Sequence, residues 1–387
     1  MRKALAIAAF FALVPGFAVG GALGLPVLMG VAAVAALSPA AANKSFKTNR
    51  LILGVLAALV TWLVLSRLWS PWHGETYIKL PVMIGLGLLF SAAAGRSEVA
   101  RVTLASASAA LFVLIAMLII EAVGGSPLNG GAAPNATEYQ LTQAPARGAV
   151  VMLALLWPAL AWFATWRTIV SWLAIIAILL SAGFVSLQFG QQSNALGFAL
   201  GGGAFLFALI APRLAILLPA FGLAAWTALA PFATLLLFVG RDLPDWAPHS
   251  WNVRVGIWLN TSERILQQPW IGHGLDAGRT VREMTTYDGE ALAIIPLHPH
   301  SAALQIWYDS GVIGAGLAAA VLVLTGLALA RAYANNKFAA ATAAAVLVMF
   351  GAMANIGWSP AQEWWLATMI LAGALVAAIG SVAIRTR

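Results

Sequence analysis

The sequence predicts an all-α polytopic membrane protein with about twelve transmembrane helices, and both its composition and its apolar runs predict this fold class. Of the 387 residues, 61% are hydrophobic and 9% are charged, whereas soluble domains carry about 25% charged residues. Apolar runs of about 20 residues recur along the chain, and each can cross a hydrocarbon core about 30 Å thick as a helix. Residues 1–387 are therefore predicted to form a single integral membrane domain.

Twelve apolar segments follow one another along the chain. They are predicted at about 4–19, 22–40, 50–66, 78–94, 99–122, 148–164, 168–186, 193–211, 214–238, 301–330, 338–356 and 364–383. The first has two positive charges before an apolar core, so it also resembles a signal peptide. Because the second segment follows at once, we expect a retained helical hairpin instead.

Lysine and arginine residues set the predicted topology, since they are enriched in the short cytoplasmic loops of membrane proteins. With the N-terminus in the cytoplasm, 13 of the 21 lysines and arginines fall on the inner side and eight fall on the outer side. Both termini are therefore predicted to be cytoplasmic. The histidines all fall on the outer side: His73, His249, His273, His298 and His300.

Charge and cysteine content narrow the class of protein further. The net charge of +8 and the pI of 10.3 could indicate a nucleic-acid partner. Most basic residues, however, lie in loops between spans, where they set topology, so no nucleic-acid partner is predicted. The chain has no cysteine, which excludes a disulfide framework, a thiolate metal site and a thiol nucleophile.

Two predicted outer segments are longer than a connection between spans requires. Residues 123–148 are rich in Gly, Pro and Ala, which predicts a flexible loop. Residues 239–300 form the long outer loop, with interfacial helices that carry the candidate active site. Within it, the stretch PHSWNVRVGIWLNTSERILQQP predicts a helix that Ser250 caps and Pro269 stops.

The arginines of this predicted helix allow two interpretations. Arg254 and Arg264 are spaced so that both guanidinium groups could point the same way. The helix could lie at the membrane interface, with its tryptophans at the boundary and its arginines against lipid headgroups. Alternatively, the arginines could clamp the anionic group of a lipid carrier.

The next stretch, PWIGHGLDAGRTVREM, combines a turn with two more arginines. Gly272 and Gly274 permit a tight turn, and Arg279 and Arg282 lie one helical turn apart. Arginine suits phosphate because its planar fork donates two parallel hydrogen bonds and stays charged. The alternative is that both arginines only make the surface soluble.

Two histidines precede the tenth predicted span, in the stretch LHPHSAALQIWYDSGVIGAG. Pro299 disfavours helix at His298, and Ser301 can cap the span. The unpaired N–H groups of a helix N-terminus attract phosphate oxygens and disfavour the charged form of a nearby histidine. His300 is therefore predicted to be neutral near pH 7 and able to accept a proton. The alternative, a polar residue bonded to the backbone, applies mainly to His298.

Acidic residues of the outer loop could bind a divalent metal, but their spacing is unspecific. They occur in RDLPD at 241–245 and in YDGE at 287–290, and neither metal nor cofactor is predicted. Asp309, two turns into the tenth span, is either a buried partner or an acid that reaches the interface.

Three stretches together resemble one family. RVGIW at 254–258, PWIGHG at 269–274 and HPHSAALQIWYDSGVIG at 298–314 are similar to motifs of the O-antigen ligase/polymerase superfamily. The resemblance implies a GT-C-like, metal-independent glycosyltransferase of the bacterial inner membrane. Such an enzyme moves a glycan from undecaprenyl diphosphate to an acceptor hydroxyl at the periplasmic face.

The resemblance also implies roles for individual residues. His300 matches the motif histidine, a general base or acceptor-orienting group, and Arg254 matches the loop arginine that holds the diphosphate. Residues expected to contact the substrate or its diphosphate are Arg279, Arg282, Arg241, Trp258, His298, Ser301 and Ser193.

One departure from the family pattern concerns a second arginine. Many members carry Ser-Arg-Gly at the outer end of an earlier span, whereas GQQSNALGFALGG keeps Ser193 and has Asn194 in the arginine's place. Either Arg279, Arg282 or Arg241 replaces it, or electrostatic attraction contributes less to holding the donor.

The acceptor distinguishes two hypotheses within this class. A ligase would use the lipid A–core oligosaccharide, and a polymerase would use a growing lipid-linked glycan. Membrane lipids surround the protein in both. Two more distant alternatives are a twelve-helix transporter and a non-catalytic scaffold.

Overall fold

The computed structural model describes residues 2–37, 49–133, 135–241, 243–244, 247–287 and 289–383. Four basic residues of the predicted inner side lie outside these ranges: Lys44, Lys47, Arg385 and Arg387. The acidic residues at positions 242, 245 and 288, considered above as metal ligands, also lie outside them.

Helices account for nearly all of the regular structure in the described ranges. They are α1 (Arg2–Val19), α2 (Leu25–Ala35), α3 (Arg50–Leu65), α4 (Thr76–Ala94), α5 (Ala100–Gly124), α6 (Pro127–Ala132), α7 (Glu138–Ala164), α8 (Ile169–Ser186), α9 (Gln192–Ile210), α10 (Pro212–Phe238), α11 (His249–Gln267), α12 (Ala302–Tyr333), α13 (Lys337–Ile356) and α14 (Glu363–Ala383). The 3-10 turns Ser66–Leu68 and Ala277–Thr280 and the strands β1 (Met284–Tyr287) and β2 (Glu290–Ala293) complete the set.

Eleven helices of the described part are long and apolar enough to cross a membrane. They are α1, α3, α4, α5, α7, α8, α9, α10, α12, α13 and α14. This confirms the predicted fold class, because a helix satisfies its backbone hydrogen bonds internally and can therefore lie in lipid. The segment predicted at 22–40 differs: α2 covers 11 residues, about 16 Å of helix, and residues 38–40 lie outside the described ranges.

Helix α7 is the centre of the largest apolar core. From Pro145 to Ala164 nearly all of its residues are buried, and it packs against α1, α5, α8, α13 and α14. Gly148 allows the close approach to α1, since a Cβ atom there would lie 2.8 Å from the carbonyl oxygen of Ala18. Small residues at such crossings let membrane helices gain packing contacts that lipid cannot replace.

A second, smaller core anchors the segment 247–300 to the helix bundle. Ile265 of α11, Ala277 and Ile295 are buried against α10 and against Leu304 and Trp307 of α12. The indole Nε1 of Trp307 donates to the carbonyl of Thr227 in α10 at 2.8 Å. The apolar face of α11 therefore packs against protein.

The start of α11 and the residues after it differ from the sequence prediction. The helix begins at His249, and Pro248 is the N-cap residue instead of Ser250. Strands β1 and β2 pair in antiparallel fashion, with Met284 opposite Ala293, where the sequence predicts no strands. The ring of Tyr287 at the end of β1 lies so close to Gly256 that a Cβ atom there would be 2.0 Å from the ring.

Candidate active site

The candidate site is built around a break in α12. Gly311 has φ 62° and ψ −162°, which no helical residue adopts. The backbone N–H groups of His273 and Gly274 donate to the freed carbonyls of Tyr308 and Asp309 at 2.6 and 3.0 Å. The turn 269–274 thus takes the place of the missing helical hydrogen bonds.

Glycine is required on both sides of this contact. A Cβ atom on Gly272, where φ is +69°, would lie 2.5 Å from the backbone nitrogen of Ser310. One on Gly311 would lie 2.4 Å from the carbonyl of Trp270. These approaches explain why the turn and the span carry glycines, and they fix the segment that leads from α11 to the histidines.

His300 lies in a strained backbone position just before α12. Its φ is +53°, a region that residues with a Cβ atom rarely adopt. The ring Nδ1 lies 3.0 Å from the carbonyl oxygen of Gly357, between α13 and α14. Because a carbonyl can only accept, Nδ1 carries the proton, and Nε2 keeps a lone pair that no described residue uses.

His298 supports the backbone at His300. Its Nδ1 accepts the hydrogen bond of the His300 backbone N–H at 3.2 Å, and the two rings lie 4.4 Å apart. Burial, then the nearby His300 and Arg279, lower the pKa of His298 to about 3. His298 is therefore a buried neutral residue bonded to the backbone.

The electrostatics of His300 differ in origin from the sequence prediction. Burial is the main cause that lowers the pKa of His300, and the charge of Arg254 lowers it further, while the hydrogen bond to Gly357 opposes the shift. The sequence attributes neutrality to the helix N-terminus. Ser301 does lie at the N-cap of α12, where its hydroxyl accepts from the N–H of Leu304 at 3.5 Å.

Arg254 lies near His300, and the second arginine of α11 does not join it. Arg254 is partly buried, and burial lowers the pKa of its guanidinium. Arg264 instead forms an ion pair with Glu283, and its backbone carbonyl lies 3.0 Å from Nε2 of His273. Of the two predicted arginines, Arg254 is the one available to a ligand.

A cavity of about 340 Å³ lies at the same end of the bundle as the two histidines. We call it the outer cavity, after the side of the membrane on which the sequence predicts it. Its lining includes Trp72, Lys79, Arg147, Arg279, Glu363 and Trp364. The guanidinium of Arg279 lies 5.6 Å from the ring centre of Trp72, and that of Arg147 lies 5.6 Å from Trp364. His300 and Arg254 do not line this cavity.

Arg279 is oriented by a buried polar cluster. Its Nε lies 3.2 Å from Oδ2 of Asp276, which also accepts from the hydroxyl of Thr76 at 2.6 Å. Gln305 Nε2 lies 3.4 Å from Asp276 Oδ1 and 3.5 Å from Asp309 Oδ2. Asp309 is 4% exposed, so it is a buried partner in this cluster.

Arg147 is the residue that sequence reasoning missed. In the predicted topology it is only one of the eight basic residues of the outer side, yet it lines the outer cavity from α7. Asn194, which occupies the place of the family's second arginine, donates from Nδ2 to the carbonyl of Ala146 at 3.0 Å. Arg147 is therefore the residue that directly follows the hydrogen-bond partner of Asn194 in the chain. The feature of the sequence that could have indicated this role is a single arginine at the start of a long apolar run.

The other candidate residues are less central. Arg282 lies beyond the 3-10 turn that holds Arg279, so the two do not share a helix, and it is exposed. Arg241 is exposed near the end of α10. Ser193 is buried in the first turn of α9. Trp258 packs against Phe238, with ring centres 6.0 Å apart.

The fold and site define a multi-pass α-helical membrane protein that groups arginines and neutral histidines at one end of its bundle. No protein-family model matches the chain. Three relatives bear the name "Putative polysaccharide ligase". One from Rickettsia felis is 28% identical over 224 residues, 52% of this chain and 54% of that protein. One from Rickettsia bellii is 28% identical over 186 residues, 45% of this chain and 44% of that protein.

The third, from Rickettsia typhi, is 35% identical over 68 residues, 16% of this chain and 17% of that protein. The chain thus spans about half or less of the length of the curated relatives it matches. The likeness is therefore to relatives with that name over part of their length, in a chain with many apolar helices.

Proposed function

We propose that the protein is a glycosyltransferase that moves a glycan from undecaprenyl diphosphate to an acceptor hydroxyl at the periplasmic face of a bacterial inner membrane. The proposed acceptor is the lipid A–core oligosaccharide. The observation that carries the proposal is the state of His300. Its Nδ1 bonds to the carbonyl of Gly357 at 3.0 Å, which leaves Nε2 as a base next to the charge of Arg254.

In the proposed reaction His300 acts on the acceptor. Its Nε2 takes the proton as the acceptor oxygen attacks the anomeric carbon, and the Gly357 carbonyl stabilises the imidazolium that forms. The new glycosidic C–O bond replaces the bond between the sugar and the diphosphate, and the diphosphate leaves with the electron pair. The proton then passes from the imidazolium to water.

The arginines act on the leaving group. Negative charge grows on the diphosphate as the sugar bond breaks, and fixed cations in a partly dry site stabilise that charge more strongly than water does. Arg254 and Arg279 are proposed to contact the diphosphate, since both lie close enough to the histidines to lower a histidine pKa. The outer cavity, which Arg147 helps to line, provides space for the sugars next to the diphosphate.

Transport is the less favoured alternative. Discontinuous membrane helices are typical of transporters, where the freed backbone groups bind ions or substrate. In α12, however, the carbonyls of Tyr308 and Asp309 already accept hydrogen bonds from His273 and Gly274. The break is therefore filled by the chain itself.

A lipopolysaccharide gel from a strain lacking the protein tests the proposal. We expect loss of the O-antigen ladder from the core, with polymer still attached to undecaprenyl lipid. A core that bears a single repeat unit would indicate the polymerase, and an unchanged ladder would exclude both. Complementation with the intact gene is the control.

A further inference from the structure

A second large pocket lies at the end of the bundle opposite to His300. It has a volume of about 930 Å³ and lies where α5 begins, α7 ends and α12 gives way to α13. We call it the inner pocket, and we define it by its cations Arg101, Arg167 and Lys337 and its aromatic residues Trp162, Trp166 and Phe338. The proposed reaction makes no use of these residues.

The charges of the inner pocket are unbalanced. No acidic residue lines the pocket in the described part of the chain, and none of its three cations forms an ion pair with a described residue. Glu98, which precedes α5, is paired with Arg96 at 2.9 Å. The pocket therefore attracts an anion with several formal charges.

Two further features of the lining point to a ligand. Asn336 caps α13 by accepting from the N–H of Ala339 at 3.1 Å, yet its Nδ2 is buried and donates to no described residue. Arg167 has φ +55°, a conformation that residues with a Cβ atom rarely adopt. A glycine would be less strained at this position, whereas the arginine that occupies it brings a cation to the pocket.

We propose that the inner pocket binds the headgroup of an anionic phospholipid. Phosphodiester oxygens would meet the three cations, the Asn336 amide and the first N–H groups of α13. Trp162 and Trp166 are residues of the kind that lie at the membrane boundary, and with Phe338 they offer an apolar wall to the glycerol and upper acyl chains. A lipid with two phosphates, such as cardiolipin, matches three cations better than one with a single phosphate.

Lipid binding to the purified full chain tests the proposal directly. Native mass spectrometry and thermal unfolding in detergent would compare cardiolipin, phosphatidylglycerol, phosphatidylcholine and inorganic phosphate. We expect cardiolipin to be retained and to raise the unfolding temperature most, and phosphatidylcholine to do neither. Equal stabilisation by phosphatidylcholine, or by inorganic phosphate alone, would overturn the proposal.

Matched variants locate the site. The double variant Arg101→Gln/Lys337→Gln should bind cardiolipin about 25-fold more weakly, about five-fold for each cation removed. Arg213→Gln/Arg331→Gln removes the same charge from positions at the same end of the bundle that do not line the pocket, and this variant should bind cardiolipin normally. Equal losses in both variants would mean that only the net charge matters and would refute a defined pocket.

Arg167→Gly separates lipid binding from folding. It relieves the positive φ, so the lipid-free protein should unfold at a slightly higher temperature. The same change removes a cation, so the additional stabilisation by cardiolipin should shrink. A variant that keeps the full cardiolipin effect would contradict the role of Arg167. These measurements do not depend on glycan transfer, so they stand or fall separately from the proposed enzymatic function.

Discussion

Among the described residues, three cations line each of the outer cavity and the inner pocket, but carboxylates pair with two of them in the outer cavity and with none in the inner pocket. In the outer cavity, Lys79 pairs with Glu75 and Glu363 at 3.3 and 3.2 Å, and Arg279 pairs with Asp276. In the inner pocket no described carboxylate balances the cations. Ion pairs hold Lys79 and Arg279 in place before a ligand arrives, whereas the cations of the inner pocket are free of described carboxylates and can bind an anionic headgroup.

The largest expected effect tests whether the chemistry belongs to the outer end. His300→Ala should lower glycan transfer at least about 10³-fold, because it removes the base. Transfer would be measured with purified protein, lipid-linked donor and core acceptor. His249→Ala, which removes another histidine from the same end, is the matched control, and near-normal transfer by His300→Ala would refute the assignment.

The second largest expected effect on glycan transfer concerns Arg254. Arg254→Gln should lower transfer about 100-fold, by analogy with the loss of one stabilising group at a developing charge. Because the charge of Arg254 lowers the pKa of His300, its removal should raise that pKa. The acidic limb of the pH–rate profile should therefore move to higher pH. A lower rate with an unmoved profile would mean that Arg254 and His300 are not electrostatically coupled.

The next prediction tests whether the turn 269–274 stabilises the end of the bundle that holds His300. Gly272→Ala should destabilise the protein by about 2–3 kcal/mol, since it adds a strained φ and a clash with the break in α12. Gly316→Ala, in the same helix, meets no atom within 4 Å and should leave the unfolding temperature unchanged or slightly higher. If both variants unfold alike, the inserted turn does not support the outer end.

His298 predicts a pH dependence of stability. Its pKa falls from about 6.5 in the unfolded chain to about 3 in the folded one, so the unfolded state binds the extra proton. Stability should be full above pH 6.5 and should decrease by about 2 kcal/mol at pH 5. His298→Asn keeps an acceptor for the His300 N–H but does not titrate, so unfolding curves at pH 5 and pH 8 should differ less. An unchanged pH dependence would point to other groups.

The smallest expected effect concerns Arg147. Arg147→Gln should lower transfer about ten-fold and mainly raise KM, because the side chain borders the outer cavity and binds the donor away from the reacting bond. Gln143→Ala removes the residue whose side-chain oxygen accepts from Arg147 at 3.2 Å and should have a weaker effect. A drop in kcat with constant KM would instead assign Arg147 to the leaving group.

Much of the candidate site could be predicted from sequence because its parts are local. The stretches around Arg254, Gly272 and His300 each lie within a few residues, and their turn, cap and charge signals are local rules. The carbonyl of Gly357, which sets the tautomer of His300, comes from a loop 57 residues away. No pattern of spacing reveals such a partner, since only the packing of α13 and α14 brings it close.

The sequence by itself determined the membrane class, the positions of the long apolar helices and the grouping of histidines at one end, because hydrophobic length and charge act along the chain. Only the tertiary structure decided that α12 breaks at Gly311 and that burial keeps both histidines neutral. It also decided that Asn194 bonds to the carbonyl of Ala146, the residue before Arg147. Those properties depend on groups far apart in sequence, whose distances and degree of burial exist only after the helices have packed.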